Sequence, residues 1–174
     1  GLKSNRMQGK VVSMTANEWI ERLALVPHPE GGWFREVYRS PERISQDSLP
    51  ERFSGARAFS TAIYFLLNAG EISHLHRIQQ DEVWHFYDGD PLGLHRIRPD
   101  GQHIETPVGR SQDALPLAVV PAGDFFGAEV IGEHYSLVGC TVAPGFDFAD
   151  FEMPSRDELY QRFPQHGELI QKLT

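Results

Sequence analysis

GEISHLHRIQQDEVWHFYDGDPLG (residues 70–93) holds two histidines one residue apart, then an acid, an aromatic run and a glycine turn. Side chains two apart on a β-strand share a face, so His74 and His76 are expected to project together. Glu82 opens the next strand, with Trp84 and Phe86 on its own face and Val83, His85 and Tyr87 on the other. If the two strands are antiparallel neighbours, the carboxylate lies across from the imidazole pair. Two histidines and one carboxylate make the facial triad that suits non-haem Fe(II) and accommodates Mn, Ni or Zn. The same three groups without metal make an acid–base pocket. A lone histidine reads most simply as solvent-facing, but an alternate-residue pair with an acid inside an aromatic run points to a shared pocket.

Outward from this stretch the chain reads as strand after strand. GWFREVYRS (32–40), AFSTAIYFLLN (58–68), EVWHFYDG (82–89), LGLHRIR (92–98), QHIETPVG (102–109), LAVVPAG (117–123), DFFGAEVI (124–131) and YSLVGCTVAPG (135–145) are short and rich in β-branched and aromatic residues. Gly, Pro, Asp or Asn bound them. Asp100-Gly101 in RPDGQ reads as a type I′ hairpin turn. Eight such segments predict a closed all-β sandwich or barrel. Helices are confined to the ends. TANEWIERLAL opens on a capping box, Thr15 with Glu18, and puts Trp19, Ile20 and Leu23 on one face. SRDELYQRF repeats the device with Ser155 and Glu158 and stops at Pro164, and GELIQKL adds a last helical turn or two. The polar stretch 40–58 reads as a loop. Residues 1–14 are patternless and are taken as a disordered lead or cloning remnant, leaving one domain over 15–174.

Composition excludes several functions. The 174 residues carry a formal charge of -8 and no Lys/Arg run, so a phosphate backbone is repelled and nucleic-acid binding is not expected. No apolar run approaches 18 residues, which argues against a membrane span. The single cysteine, Cys140, fits a reducing cytoplasm and reads as a small buried hydrophobe.

PHPEGGWFREVYRS (27–40) is a second constellation. Gly31-Gly32 permits backbone shapes closed to other residues. Alternation sets Phe34, Glu36 and Tyr38 against Trp33, Arg35, Val37 and Arg39. The strand is either an exposed or subunit-pairing edge, or part of a binding site in which His28 and Glu30 sit at the barrel mouth and Phe34, Glu36 and Tyr38 face the cavity.

The first stretch resembles the first cupin motif, in which a glycine precedes His-x-His, a glutamate follows, and a glycine closes the strand. Gly70, His74, His76, Glu82 and Gly89 supply those types. The Glu-to-Gly interval fits, the Gly-to-His gap is short and the His-to-Glu gap is one residue long. PAGDFF resembles the second motif through Pro121 and Gly123, with Phe126 where that motif has its third histidine. Blocks from LVPHPEGGWFREVYRS to VAPGFDFADFEMPSRDELYQRFP are similar to the cupin subfamily known as DUF985, over about residues 18–164. The resemblance implies a double-stranded β-helix (the cupin jelly roll, RmlC-like) with short terminal helices, a homodimer, and architectural kinship with sugar-nucleotide epimerases. It implies no particular reaction.

With Phe126 in the third ligand's place, three protein ligands remain at most, and that wall of the barrel becomes apolar. A divalent Fe, Mn, Ni or Zn ion on His74, His76 and Glu82 and a metal-free pocket both stay open. In the metal-free reading the protein binds a small polar or aromatic metabolite and acts as a sugar-type epimerase or isomerase. His76, oriented by Glu82, is then the base and His74 or Tyr38 the acid, with Trp84, Phe86 and Phe126 among the binding residues beside His28, Glu30, Phe34 and Glu36. A metal-dependent oxygenase or isomerase and a non-catalytic binder are the alternatives. His95, His103, His134 and His166 read as surface or packing residues.

Overall fold

The computed structural model describes residues 13–174, so all but the last two residues of the expected lead lie outside the described residues. After helix α1 (Ala16–Arg22) come strands β1 (Val26–Pro27), β2 (Trp33–Arg39), β3 (Arg43–Ile44), β4 (Arg57–Ala58), β5 (Thr61–Asn68) and β6 (Ile72–His76). They are followed by β7 (Asp81–Gly89), β8 (Leu92–Ile97), β9 (His103–Val108), β10 (Leu117–Val120), β11 (Phe125–Val130) and β12 (Tyr135–Ala143). Helices α2 (Arg156–Arg162) and α3 (Gly167–Lys172) close the chain.

The strands form a six-stranded sheet, β1-β2-β5-β12-β7-β10, a four-stranded sheet, β6-β11-β8-β9, and a two-stranded ribbon, β3-β4. Sequence neighbours β5, β6 and β7 fall in alternate sheets, the rolled connectivity of a jelly roll. Between the sheets lies a core that includes Phe65, Leu67, Trp84, Phe86, Phe126 and Val138. Burying a side chain of this size stabilises by roughly 1.5–3 kcal/mol. Inward residues alternate along β5 as Thr61, Ile63, Phe65 and Leu67, while the neighbours Tyr64 and Leu66 meet α1 through Trp19, Ile20 and Leu23. Helices α2 and α3 cover the outer face of the smaller sheet with Leu159, Phe163, Ile170 and Leu173.

Both capping boxes form as expected, Thr15 with Glu18 and Ser155 with Glu158. The β8–β9 hairpin also forms, but its turn is not type I′. Gly101 N–H donates to Arg98 O at 2.8 Å, which puts Pro99 at the second turn position, and only Gly101 takes a positive φ, of 89°. Proline fixes φ near -65°, so the turn must begin right-handed and leave the left-handed residue to glycine.

Candidate functional site

One open end of the barrel forms a cavity of about 550 Å³, within the range of small-molecule sites. Its floor carries His76 from β6, Glu82 from β7, and His28 and Glu30 from the turn between β1 and β2. That turn is held in place by its glycines. Gly31 has a φ of 103°, and a Cβ there would collide with the Ile72 carbonyl oxygen. Only glycine lets the turn lie this close to β6, where His74 N–H then donates to Glu30 O at 2.7 Å.

Glu30 is the centre of the floor. Its Oε2 accepts from Ser73 Oγ at 2.5 Å and lies 3.0 Å from His76 Nε2. His76 Nδ1 donates to the His74 carbonyl at 2.7 Å, which fixes the tautomer, because a carbonyl can only accept. A second proton must therefore lie between Nε2 and Oε2, since two lone pairs would repel at that distance. Burial raises the Glu30 carboxyl and lowers the His76 imidazolium to about 4; both shifts disfavour the separated ion pair and draw the shared proton toward Glu30. His28 Nδ1 accepts the Glu30 backbone N–H at 3.0 Å, which puts the His28 proton on Nε2. The 3.3 Å approach of that same Nδ1 to Glu30 Oε1 is therefore not a donated bond.

Glu82 does not orient His76. Its Oε2 accepts from the Trp84 indole N–H at 2.9 Å, and Oε1 has no partner among the described residues. Burial, with the Glu30 carboxyl adding to it, pushes Glu82 up to about 8. It is a neutral acid at pH 7, and it lines the cavity. Cys140, also on the cavity wall, is kept as a thiol by burial.

Two β-bulges change which expected residues take part. The β6–β11 register runs Phe126↔His76 and then Ala128↔Ser73, so three steps on β6 face two on β11. A bulge turns the strand by one residue. Ser73, rather than His74, thus faces inward with His76. His74 is absent from the cavity wall, and its Nδ1 bonds the Leu75 carbonyl at 2.8 Å. The second bulge, at Val37, pairs Glu36↔Ile63 but Tyr38↔Ala62 and Arg39↔Thr61. Arg39 therefore reaches the cavity while Tyr38 is 51% exposed on the outer face. The expectations that His74 shares the pocket and that Tyr38 supplies an acid are corrected accordingly. The expected metal set does not fit either: His74 points away, His76 Nε2 is taken by Glu30, and Glu82 is bound to Trp84.

Phe34 and Glu36 line the cavity as expected. Trp84, Phe86 and Phe126 face inward but pack as the layer behind its floor, with the Phe126 ring 4.1 Å from the His76 ring. His85 and Tyr64 face outward, His85 Nε2 meeting Thr141 Oγ1 at 3.0 Å. Elsewhere His95 is buried on the outer face of the smaller sheet, its Nδ1 3.0 Å from His103 Nε2.

The rim was missed. Phe146, Phe148 and Phe151 form an aromatic wall over the floor, with the Phe151 ring 5.4 Å from His76. Arg39 ties this wall to β2, donating to Glu36 Oε1 at 2.6 Å and to Phe146 O at 2.9 Å. Beneath it Asp150 takes two bonds from Arg57, each 2.8 Å, and one from Gln80 at 2.8 Å. The only sequence signal was three phenylalanines within GFDFADF, residues 145–151, just past the last strand.

A family model described as Cupin superfamily (DUF985) matches residues 17–154. An uncharacterised Saccharomyces cerevisiae protein is 30% identical over 156 residues, 82% of this chain and 75% of its own. A crystal structure of a Shewanella oneidensis protein superposes with a TM-score of 0.84 at 37% identity, covering 92% of this chain and 98% of that one. A hypothetical protein from Leishmania major gives the same TM-score and identity over 92% and 99%. Oxalate decarboxylase from Bacillus subtilis, at 15% identity and a TM-score of 0.53 over 85% and 36%, shares the fold.

Proposed function

We propose, for a chain that belongs to the DUF985 family of the cupin superfamily, that the barrel binds a small, flat, largely apolar metabolite and moves a proton on it without a metal. The observation that carries this reading is the pairing on one cavity floor of a neutral carboxylic acid, Glu82, with the proton-sharing pair Glu30–His76. Two groups set apart in this way can serve as proton donor and proton acceptor. Glu82 donates from Oε1. The pair accepts at Glu30 Oε1 while its shared proton crosses to His76 Nε2. Ser73 and the His74 carbonyl hold the pair in line, and the phenylalanine wall excludes water. The reaction class is isomerisation or epimerisation.

The test is to release copurified small molecules by denaturation, identify them by mass spectrometry, and return each to fresh protein in D₂O. Incorporation of deuterium at carbon that Glu82→Gln slows by about 10² or more supports proton transfer. A ligand that binds with no exchange makes the protein a binder instead.

A second copy of the chain is the proposed partner. β1 covers only Trp33 and Phe34 of β2, which leaves Arg35–Arg39 as an open strand edge. Tyr38, Tyr87, Leu117 and Val119 add exposed apolar surface to the six-stranded sheet. Sedimentation at micromolar concentration is expected to give twice the 19.7 kDa chain mass, and a monomer mass would overturn this. Among the described residues no helix is long and apolar enough to cross a membrane.

A further inference from the structure

We infer that the cavity floor is a two-donor cradle, His28 Nε2–H and Glu82 Oε1–H, built for the oxygen of an enolisable carbonyl compound as it becomes an enolate. This rests on the proton-transfer reading above and names its substrate class. The case begins with His28. Its Nδ1 lone pair is occupied by the Glu30 backbone N–H, so a neutral ring carries its proton on Nε2. Burial lowers this imidazolium, which keeps the ring neutral. His28 Nε2 has no partner among the described residues, and the side chain, 6% exposed, forms part of the cavity wall. The ring itself is fixed edge-on to Phe34, with centroids 4.4 Å apart.

Glu82 gives the second donor. The indole N–H of Trp84 occupies Oε2, so a proton on this carboxyl belongs on Oε1. Both residues neighbour Glu30, and neither donor has an acceptor among the described residues. Both residues line the cavity, so a ligand oxygen there can accept from both donors. The cavity floor thus holds two donors beside the acceptor pair Glu30–His76. That arrangement matches an oxygen that gains negative charge next to a carbon that loses a proton.

The step balances without a co-reactant. A C–H bond beside the carbonyl breaks, and its proton goes to Glu30 Oε1. The electron pair forms C=C, and the carbonyl electrons move to oxygen, where His28 and Glu82 donate to it. The shared Glu30–His76 proton crosses to Nε2 in the same step. Return of that proton from Glu30 Oε1 to a vinylogous carbon gives the isomer, and the shared proton crosses back from His76 Nε2 to Glu30 Oε2. Nothing is oxidised or reduced. Flat substrates are favoured because the ring or enone would lie against Phe146, Phe148 and Phe151.

Phenolates mimic enolates in shape and charge, so 4-nitrophenol is the probe and its methyl ether, 4-nitroanisole, the control. Absorbance titration of the wild-type protein at pH 7 is expected to show the phenol binding about tenfold or more tighter than the ether. His28→Phe and Glu82→Leu, each checked by thermal melting, are expected to bring phenol and ether to equal affinity. The preference is also expected to fade as pH rises through about 8, where Glu82 ionises and repels the phenolate. Equal binding of phenol and ether by the wild type overturns the cradle and leaves the cavity reading standing. Binding of neither compound overturns both, and this comparison needs no variant to fold.

Discussion

His76 Nε2 lies 3.0 Å from Glu30 Oε2, and because Nδ1 already gives its proton to the His74 carbonyl at 2.7 Å, the proton on the Nε2 side belongs to both residues. The contact joins a turn residue to a strand residue 46 positions away, and it fixes the imidazole ring in both direction and tautomer. Glu30→Ala is expected to cost about 1–3 kcal/mol by leaving a buried ring nitrogen unpaired. Glu30→Gln, which can donate an amide N–H to Nε2, is expected to recover most of that. Urea unfolding of the three proteins measures it, and equal losses in both variants would show that the bond does not hold the floor together.

Glu82 makes a separate prediction about pH. Its proton is held up to about 8 in the folded chain against an ordinary 4.5, so between these values the folded state binds more protons than the unfolded one. Stability therefore falls as pH rises through that window, by at most roughly 1.4 kcal/mol per pH unit from this group. Glu82→Gln keeps an acceptor for Trp84 and does not titrate. The variant is expected to match the wild type at pH 4 and to exceed it by a few kcal/mol at pH 8. Denaturant midpoints across that range decide it, and parallel curves would remove Glu82 from the argument.

The bulge at Val37 sets Tyr38 and Arg39 apart. Tyr38→Phe is expected to stay within about 0.5 kcal/mol of the wild type and to leave 4-nitrophenol binding unchanged, because the side chain lies outside the barrel. Arg39→Ala frees the Phe146 carbonyl and is expected to weaken the same binding several-fold with little loss of stability, since the Arg39–Glu36 pair is well exposed. The opposite ranking would mean that Tyr38 reaches the ligand.

Asp150 carries the aromatic wall through a fully buried ion pair with Arg57. Asp150→Ala leaves that guanidinium without its partner, which is expected to cost about 3–5 kcal/mol. Thermal melting together with 4-nitroanisole binding checks the coupling: both are expected to fall. Full ether binding in a destabilised variant would separate the wall from its anchor.

Gly31→Ala combines a positive φ with a collision at the Ile72 carbonyl. A loss of at least about 2 kcal/mol is expected, together with displacement of Glu30 from Ser73 and His76. A neutral substitution would show that the turn can move away from β6 without cost.

The sequence by itself determined the sheet, because strand alternation, turn residues and capping boxes act over a few neighbouring positions. Thr15 with Glu18, the strand runs and the Gly-Pro-Asp boundaries all stood in the chain for that reason. It also brought His28, Glu30, Phe34, Glu36, His76 and Glu82 forward as site residues, and they share one cavity. Only the tertiary structure decided that Ser73 and Arg39 face inward while His74 and Tyr38 do not. Alternation assumes equal residue counts on paired strands, and a bulge breaks that equality through the partner strand, which local sequence does not reveal. The proton states of Glu30, His76 and Glu82 were likewise set by burial and by partners from distant segments, and those exist only once the barrel has closed.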